Sequence, residues 1–263
     1  MRRIKEGLPD LRDIPACIGG DPTKRTGIVV AKSIPAKKCG VQTGEPVAMA
    51  LRKCPNMVIV PSDFDLYVRC SRAFKKICAS YTPVMESFSI DEVFLDMTGT
   101  SLLYPDPIAA AHEIKDRIYE ELGFTVNIGI STNKLLAKMA SDFEKPNKVH
   151  TLFPEEIPEK MWPLPVRDLF FVGKSSEQKL YTLGIRTIGE LAAFDPVILQ
   201  SHMGKHGLLI YEYANGIDPS PVAPRTPENK GYGNSTTLPN DVTDSAEAKK
   251  ILRRLCDLSL IHI

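Results

Sequence analysis

Two adjacent carboxylates between two β-prone runs constrain this chain more than any other feature. Asp91 and Glu92 follow Ser89-Ile90, and the apolar runs 84–88 and 93–97 flank them. The imperfect alternation of the first run, and the glycine turn after the second, predict a hairpin with both acids at its corner. Acidic residues in such a turn are most often only solvated.

The acid pair also has a chemical interpretation. Mg²⁺ is usually held by one or two carboxylates together with substrate phosphates. In phosphoryl-transfer sites, two metal ions activate the attacking oxygen and stabilise the leaving oxygen. Two acids on a rigid corner are therefore sufficient to begin such a site.

The run SIDEVFLDMTG at 89–99 resembles the palm motif of the Y-family, or translesion, DNA polymerases of the DNA polymerase IV type. The resemblance covers nearly the whole chain. Further blocks match the family in the family's order, at 11–15, 19–22, 36–41, 129–131, 136–142 and 145–147.

The resemblance implies an α+β fold, a right-hand polymerase with small fingers, a palm, an all-α helix-hairpin-helix thumb and the start of a little-finger domain. The implied boundaries are fingers at 1–62, palm at 63–165, thumb at 166–217, linker at 218–230 and an incomplete little finger at 231–263. Four prolines between 218 and 230 independently indicate a stiff linker.

The function implied by the resemblance is error-prone, template-directed DNA synthesis in DNA repair and the DNA damage response. The enzyme adds dNTPs to a primer 3′ end opposite undamaged or damaged template, with two Mg²⁺ ions. Asp91 is expected to bind both metals, and Glu92 the metal that activates the primer 3′ oxygen. Lys37 and Lys145 align with residues that contact the triphosphate.

Two fingers residues depart from the family pattern. Ile34 stands where many relatives carry a tyrosine that hydrogen-bonds the triphosphate, and Ala31 where some carry a threonine. Neither side chain can donate that bond. We expect either weaker nucleotide affinity or a contact from backbone amides instead.

The segment from Leu169 to Leu191 resembles the thumb's helix-hairpin-helix, in which Gly173 and Lys174 would hold the duplex. A glycine turn that opens a helix exposes backbone amides to a phosphate oxygen. Phe171 replaces the usual first glycine, which puts the tightness of that turn in question. The alternative is an ordinary helical hairpin that packs Leu180 against Leu191.

Periodicity predicts the elements around the acids. One helix is expected over 65–81, with Arg69, Arg72, Lys75 and Lys76 off its apolar face. A second helix is expected from a cap at Asp106 to Gly123, with an apolar stripe of Ile108, Ala111, Ile114, Ile118 and Leu122. A strand over 125–130 and a helix capped by Ser131 or Thr132 then predict a βαβ-like unit.

Both ends are expected to be truncated. The family's first strand, with a third catalytic aspartate, has no counterpart in 1–5, and Asp10 and Asp13 lie too close to the fingers block to replace it. Impaired metal binding and catalysis follow. The ending 258–263 departs from the family. A strand near 233–241 and a helix over 246–258 cannot close a little finger, and a processivity-clamp contact would lie in the missing C-terminal segment.

Composition agrees with a soluble enzyme. The net charge is +1, but basic residues dominate the fingers, where a triphosphate or DNA backbone would bind: Lys24, Arg25, Lys32, Lys37, Lys38, Arg52 and Lys53. The six cysteines show no C-x-x-C spacing and predict free thiols. His202 and His206 are spaced for one helix face without a zinc pattern. No run is long enough to cross a bilayer, so a cytoplasmic, nucleoid-associated protein is expected.

Two other classes of function stay open. One is a DNA-binding remnant that grips duplex without catalysis. The other is a palm-fold nucleotidyl cyclase, which also pairs acids on a hairpin but has no need of a DNA grip.

Overall fold

The computed structural model describes residues 7–21, 27–224 and 231–260. The predictions for 1–5, Lys24, Arg25 and the last residues 261–263 lie outside these ranges. The chain forms two compact units, Met1–Leu66 with Pro227–Ile263 (the first unit) and Tyr67–Thr226 (the second unit). The predicted five-part division stays a prediction.

A small three-stranded sheet organises the first unit. Its central strand β1 pairs antiparallel with β2 and parallel with β3, over Ala16–Gly19, Val29–Lys32 and Val58–Val60 respectively. Two short helices follow β2, α1 at Ile34–Lys38 and α2 at Val47–Lys53. Their apolar faces and the sheet share one core, built from Cys17, Val29, Ala36, Val41, Val47, Ala50, Cys54 and Met57.

The C-terminal part of the first unit confirms a helix but not a strand. The last helix extends over Ser245–Leu260, in agreement with the prediction for 246–258. The strand expected near 233–241 is absent, since 231–244 has no strand in the described chain. Two glycines and Pro239 interrupt this run, and no described strand pairs with it, so its backbone gains no ladder.

The acidic hairpin lies in the second unit, packed on two helices. Strands β4 and β5 pair antiparallel with Met85 opposite Leu95 and Ser87 opposite Val93, over Met85–Ser87 and Val93–Leu95. The predicted hairpin is thus confirmed. Helix α3 extends over Phe64–Ala79 and α4 over Pro107–Leu122. Their facing apolar residues form the core on which the hairpin rests: Phe74, Ile77, Cys78, Tyr81, Ile114 and Ile118.

Helix α4 begins and ends where the sequence predicts. The Asp106 carboxylate accepts a hydrogen bond from the backbone amide of Ile108 at 2.8 Å, and Gly123 ends the helix with φ 75°. Glycine adopts this left-handed conformation without a Cβ penalty. Ile108 corrects the predicted stripe, because it is exposed in the first turn while Ile114 and Ile118 are buried.

A parallel βαβ unit follows, as expected. Helix α5 at Lys134–Asp142 joins strand β6 at Ile128–Ile130 to strand β7 at Val149–Thr151. Its cap is Asn133 rather than Ser131 or Thr132, since the Asn133 side chain accepts the Leu136 amide at 2.9 Å. The Ser131 hydroxyl instead donates to the Leu152 carbonyl. This bond connects the residue after β6 to the residue after β7.

Gly129 lets strand β6 approach helix α5 closely. A Cβ atom on Gly129 would lie 1.9 Å from the carbonyl oxygen of Ala137 and 2.6 Å from the amide nitrogen of Ser141. Both contacts are to main-chain atoms, which cannot turn aside as a side chain can. The strand and the helix therefore touch backbone to backbone at this point.

Short helices complete the second unit around its other apolar core, separate from the one beneath the hairpin. Helices α6 to α10 extend over Ile157–Lys160, Lys174–Thr182, Ile188–Ala192, Pro196–Met203 and Lys205–Ala214, with 3₁₀ turns at Pro154–Glu156 and Val166–Asp168. Leu180 and Leu191 are both fully buried in this core. No described helix is both long and apolar enough to span a membrane.

His202 and His206 do not share one helix, which corrects that prediction. Gly204, with φ 63°, separates α9 from α10 between them. His206 Nε2 lies 3.1 Å from the Ser176 hydroxyl, while His202 Nδ1 lies 2.9 Å from the Ile198 carbonyl oxygen. The six cysteines are free thiols, as expected.

Candidate functional site

The hairpin turn presents Asp91 and Glu92 at the end of β4 and β5. The backbone amides of Phe88 and Ser89 both donate to the Glu92 carbonyl, each at 3.1 Å, and close the turn. The Ser89 hydroxyl donates to the Asp91 carboxylate at 2.7 Å. Asp91 is exposed, and the Glu92 side chain is 38% exposed. Both carboxylates can therefore reach a ligand from a fixed corner.

Helix α3 fixes the backbone of this corner from beneath. The buried Ser71 hydroxyl donates to the carbonyl of Ile90, and the Lys75 amine donates to the carbonyl of Ser89 at 2.6 Å. Lys75 thus helps to hold the turn. Sequence reasoning missed these two roles, because nothing in a helical pattern indicates which residues face a distant turn.

Helix α5 places a lysine on Glu92. Lys138 Nζ lies 2.5 Å from Glu92 Oε1 and 3.2 Å from an Asp142 carboxylate oxygen. Asp142 in turn pairs with Lys145, at 2.6 Å. The structure therefore joins Glu92 to Lys145, two residues predicted separately from the sequence, through Lys138 and Asp142.

The pKa values within this chain of charges reflect mutual stabilisation. Burial of the Lys138 amine acts to lower its pKa, but the hydrogen bond to Glu92 and the charge of Asp142 outweigh burial and raise the pKa. Burial of Asp142 acts to raise its pKa, but Lys145 and Lys138 lower it below its ordinary value. Both groups are thus held in their charged forms.

A second lysine of α5 makes a parallel contact four residues earlier. Lys134 Nζ lies 2.9 Å from a Glu86 carboxylate oxygen and 5.6 Å from the centre of the Phe94 ring. The same Glu86 oxygen accepts the backbone amide of Ala223 at 2.8 Å. The spacing of Lys134, Lys138 and Asp142 by four residues on one helix face is the sequence signal that could have found this pairing.

The donor set around the turn fits a hard divalent cation. Two carboxylates and a hydroxyl supply only oxygen ligands, which such cations prefer. Across residues 7–21, 27–224 and 231–260, no group of three or more His, Cys, Asp or Glu residues is placed to hold a metal. Any metal here would therefore need ligands beyond Asp91 and Glu92, such as substrate phosphates.

The other predicted site residues occupy different parts of the chain. Lys37 is exposed in helix α1 of the first unit, where Ile34 is also exposed, with 63% of its surface accessible. Gly173 and Lys174 lie in the second unit, at the start of helix α7.

The helical hairpin predicted after Leu169 forms its turn at Phe171. Phe171 adopts φ 68°, the left-handed conformation that glycine would take, so the turn forms although this residue is not glycine. Its ring lies 4.3 Å from the Phe170 ring and 6.1 Å from the Tyr213 ring, centre to centre. Gly173 then caps helix α7 without a side-chain hydrogen bond, and no heavy atom lies within 4 Å of its Cβ position.

Comparisons with known proteins agree with this arrangement of hairpin, βαβ unit and helical hairpin. The sequence profile of the impB/mucB/samB family matches residues 3–142, and that of the IMS family HHH motif matches residues 154–185. The fold is that of a Y-family DNA polymerase: the chain superposes on a Dbh–Dpo4 Y-family polymerase chimera with a TM-score of 0.82 at 25% identity, covering 95% of this chain and 73% of that one. DinB from Sulfolobus solfataricus gives a TM-score of 0.75 at 25% identity, covering 100% and 76%.

The sequence therefore belongs to the impB/mucB/samB family. It is 50% identical to the DNA polymerase IV of Clostridium acetobutylicum over 258 residues, which are 98% of this chain and 65% of that protein. It is 43% identical to DNA polymerase IV 1 of Bacillus subtilis over 248 residues, 94% of this chain and 60% of that protein. The chain thus spans less than two thirds of the length of these relatives.

Proposed function

We propose that this chain carries the active site of an error-prone, template-directed DNA polymerase that adds dNTPs to a primer 3′ end opposite undamaged or damaged template. The observation that carries the proposal is the hairpin corner. Asp91 and Glu92 project from a turn whose backbone carbonyls accept hydrogen bonds from the side chains of Ser71 and Lys75. Membership in the family, and relatives named DNA polymerase IV, support the same reaction.

Asp91 and Glu92 are the residues that would hold the metals, which we propose to be two Mg²⁺ ions. When bound, the ions supply activation of the primer 3′ oxygen and stabilisation of the departing pyrophosphate. Asp91, exposed at the corner, would bind both ions. Glu92, held by Lys138, would bind the ion that activates the primer 3′ oxygen.

Lys145 and Lys37 would orient the triphosphate. An ammonium near the β and γ phosphates offsets negative charge that the metals leave uncompensated. Lys145 is suited to this because its side chain is 59% exposed and is anchored by a single carboxylate, that of Asp142. Lys37 is exposed on helix α1 and is free to reach a phosphate in the same way.

A primer-extension assay with matched acid variants tests the reaction. Asp91→Asn and Glu92→Gln are each expected to reduce dNTP incorporation by at least about a hundredfold, since each removes a charge that stabilises the transition state. Asp96→Asn is the control, because Asp96 follows strand β5 of the same hairpin and its carboxylate binds Thr98, whose amide donates to it at 2.9 Å. Equal activity in all three variants would contradict the proposal.

A DNA-binding protein without catalysis is the second candidate. The left-handed turn at Phe171 and the open start of helix α7 at Gly173 support it. It predicts salt-sensitive duplex binding with no extension under Mg²⁺ or Mn²⁺. Extension by the wild-type chain that Asp91→Asn abolishes would eliminate this candidate.

Both candidates share a duplex grip at Gly173 and Lys174. Lys174→Met is expected to weaken binding to any duplex sequence and to reduce the slope of log affinity against log salt by about 0.9, the effect of one lost phosphate contact. Lys179→Met is the matched control, since Lys179 is exposed on the same helix but away from its N-terminus. An equal change in both variants would indicate general charge attraction rather than a contact at the turn.

A further inference from the structure

Four charged residues of the second unit form an unbroken alternating chain. Glu92 pairs with Lys138 at 2.5 Å, Lys138 with Asp142 at 3.2 Å, and Asp142 with Lys145 at 2.6 Å. Exposure is lowest at Lys138, with 16% of its side chain accessible, and rises outward to 59% at Lys145, while Glu92 at the other end is 38% exposed. Exposed ion pairs contribute little to stability. Orientation of the end members is therefore the larger effect of this arrangement.

The neighbouring pair on the same helix provides an internal comparison. Lys134 and Glu86 are 17% and 18% exposed, so they are buried to the same extent as Lys138. The further partner of this pair is a neutral group, the Ala223 backbone amide, which donates to the same Glu86 oxygen. Helix α5 thus offers two similar lysines to the hairpin, and of the two only Lys138 has a second carboxylate within 4 Å among the described ion pairs.

We propose that Lys138 and Asp142 are positioning residues that couple the metal ligand Glu92 to the triphosphate contact Lys145. This inference rests on the proposed polymerase function. When Glu92 binds a metal it leaves Lys138, and when Lys145 binds a phosphate it leaves Asp142. Lys138 and Asp142 already lie 3.2 Å apart and neutralise one another. Neither ligand-binding event then leaves an unpaired charge behind.

The arrangement has opposite consequences for the two ligands when Lys138 loses its charge. An ammonium on Glu92 competes with a metal cation for the same oxygen, so its removal favours metal binding. Asp142, without Lys138, has Lys145 as its sole cation and holds it away from a phosphate. Loss of the Lys138 charge therefore strengthens metal binding and weakens triphosphate binding.

The test measures two affinities on the full chain with Lys138→Met. Mn²⁺ alone, titrated by electron paramagnetic resonance, reports metal binding without nucleotide, DNA or turnover. The second affinity is that of dATP in the presence of Ca²⁺ and a dideoxy-terminated primer opposite a template thymine. We expect Mn²⁺ affinity to rise and dATP affinity to fall, each by at least about threefold, the scale on which contacting charges couple.

Two further variants separate this role from a loss of fold. Lys134→Met removes an equally buried lysine from the same helix and is expected to change both affinities by less than about twofold. Adding Asp142→Asn to Lys138→Met releases Lys145 and is expected to restore dATP affinity. A thermal unfolding curve for each variant verifies that the protein is folded.

Each outcome decides one of the two proposals. Opposite shifts in Lys138→Met, with rescue by Asp142→Asn, support the coupling. Parallel losses of both affinities, or equal effects of Lys134→Met and Lys138→Met, overturn it while leaving the polymerase proposal intact. A wild-type chain that binds neither Mn²⁺ at millimolar concentration nor dATP would contradict the polymerase proposal itself, and the coupling with it.

Discussion

The hydroxyl of Ser71, in helix α3, donates a hydrogen bond to the backbone carbonyl of Ile90, one residue before Asp91. Ser71 is 8% exposed, so water does not replace this donor readily. Ser71→Ala is expected to lower the free energy of unfolding by about 1 kcal/mol, since it removes the hydroxyl that donates to this part-buried carbonyl. Chemical denaturation measures the change.

The same substitution separates stability from positioning. Ser71→Ala is expected to lower kcat for primer extension while the KM for primer-template stays within about twofold, since it moves only the acidic corner. Ser80→Ala removes a hydroxyl that bonds the Ile77 carbonyl at 2.6 Å, away from the turn, and serves as the control. An equal loss of kcat in both variants would contradict a positioning role for Ser71.

Gly129 is expected to tolerate no side chain. Gly129→Ala forces a Cβ into the main chain of helix α5, so a strand or helix shift costing about 3 kcal/mol or more is expected. Urea unfolding of the purified variant measures the loss. Gly99→Ala, where no heavy atom lies within 4 Å of the Cβ position, should change stability by less than about 1 kcal/mol. Similar stabilities for the two variants would contradict the close approach of β6 and α5.

Phe171 offers a test of backbone strain that is free of side-chain packing. Phe171→Gly and Phe171→Ala both delete the ring, but only glycine adopts φ 68° without a Cβ penalty. We expect the glycine variant to be more stable than the alanine variant by about 1 kcal/mol. Differential scanning calorimetry of both proteins resolves this difference. A more stable alanine variant would show that the turn relaxes away from the left-handed conformation.

The capping box at the start of helix α8 makes part of the stability depend on acid. Hydrogen bonds from the backbone amides of Arg186 and Thr187 lower the pKa of Glu190 below its ordinary value. A carboxyl whose pKa is lowered by folding contributes stability above its unfolded pKa, about 4.3. That contribution declines as the pH falls through the folded pKa.

Thermal unfolding of wild type and Glu190→Gln between pH 7 and pH 3 measures this dependence. We expect wild type to be the more stable protein at pH 7 and the difference to shrink as the pH falls toward pH 3. Glu155→Gln, which removes an exposed carboxylate from the 3₁₀ turn at Pro154–Glu156, controls for net charge. A difference that persists unchanged at pH 3 would contradict the role of the Glu190 charge.

Local signals predicted the elements near the site well. Asp106 and Gly123 set the ends of helix α4 because a cap and a left-handed terminator act on adjacent backbone. The hairpin itself followed from the two apolar runs and the turn between them. The wrong cap of α5 has the same origin, since Ser131, Thr132 and Asn133 are all competent caps and the contact of Ser131 with Leu152 decided between them.

Contacts between distant segments were beyond sequence reasoning. Ser71 lies 19 residues from Ile90, and Lys138 lies 46 residues from Glu92. No periodicity relates such positions, and a lysine on a helix face is usually solvated. The left-handed Phe171 was also missed, because a large residue at positive φ opposes the local preference and is held by neighbouring rings.

The backbone contact at Gly129 has a consequence for how this site tolerates sequence change over evolution. Where two elements pack through side chains, their spacing changes when those side chains are replaced by larger or smaller ones. Strand β6 and helix α5 instead meet through main-chain atoms at Gly129, which every residue has, so substitutions elsewhere do not change their spacing at this point. Apolar residues around α5 can therefore drift while the helix, and with it the Lys138 ammonium, keeps its distance from the strand. Gly129 thus helps to keep the position of Lys138 beside Glu92 constant when residues around helix α5 are mutated.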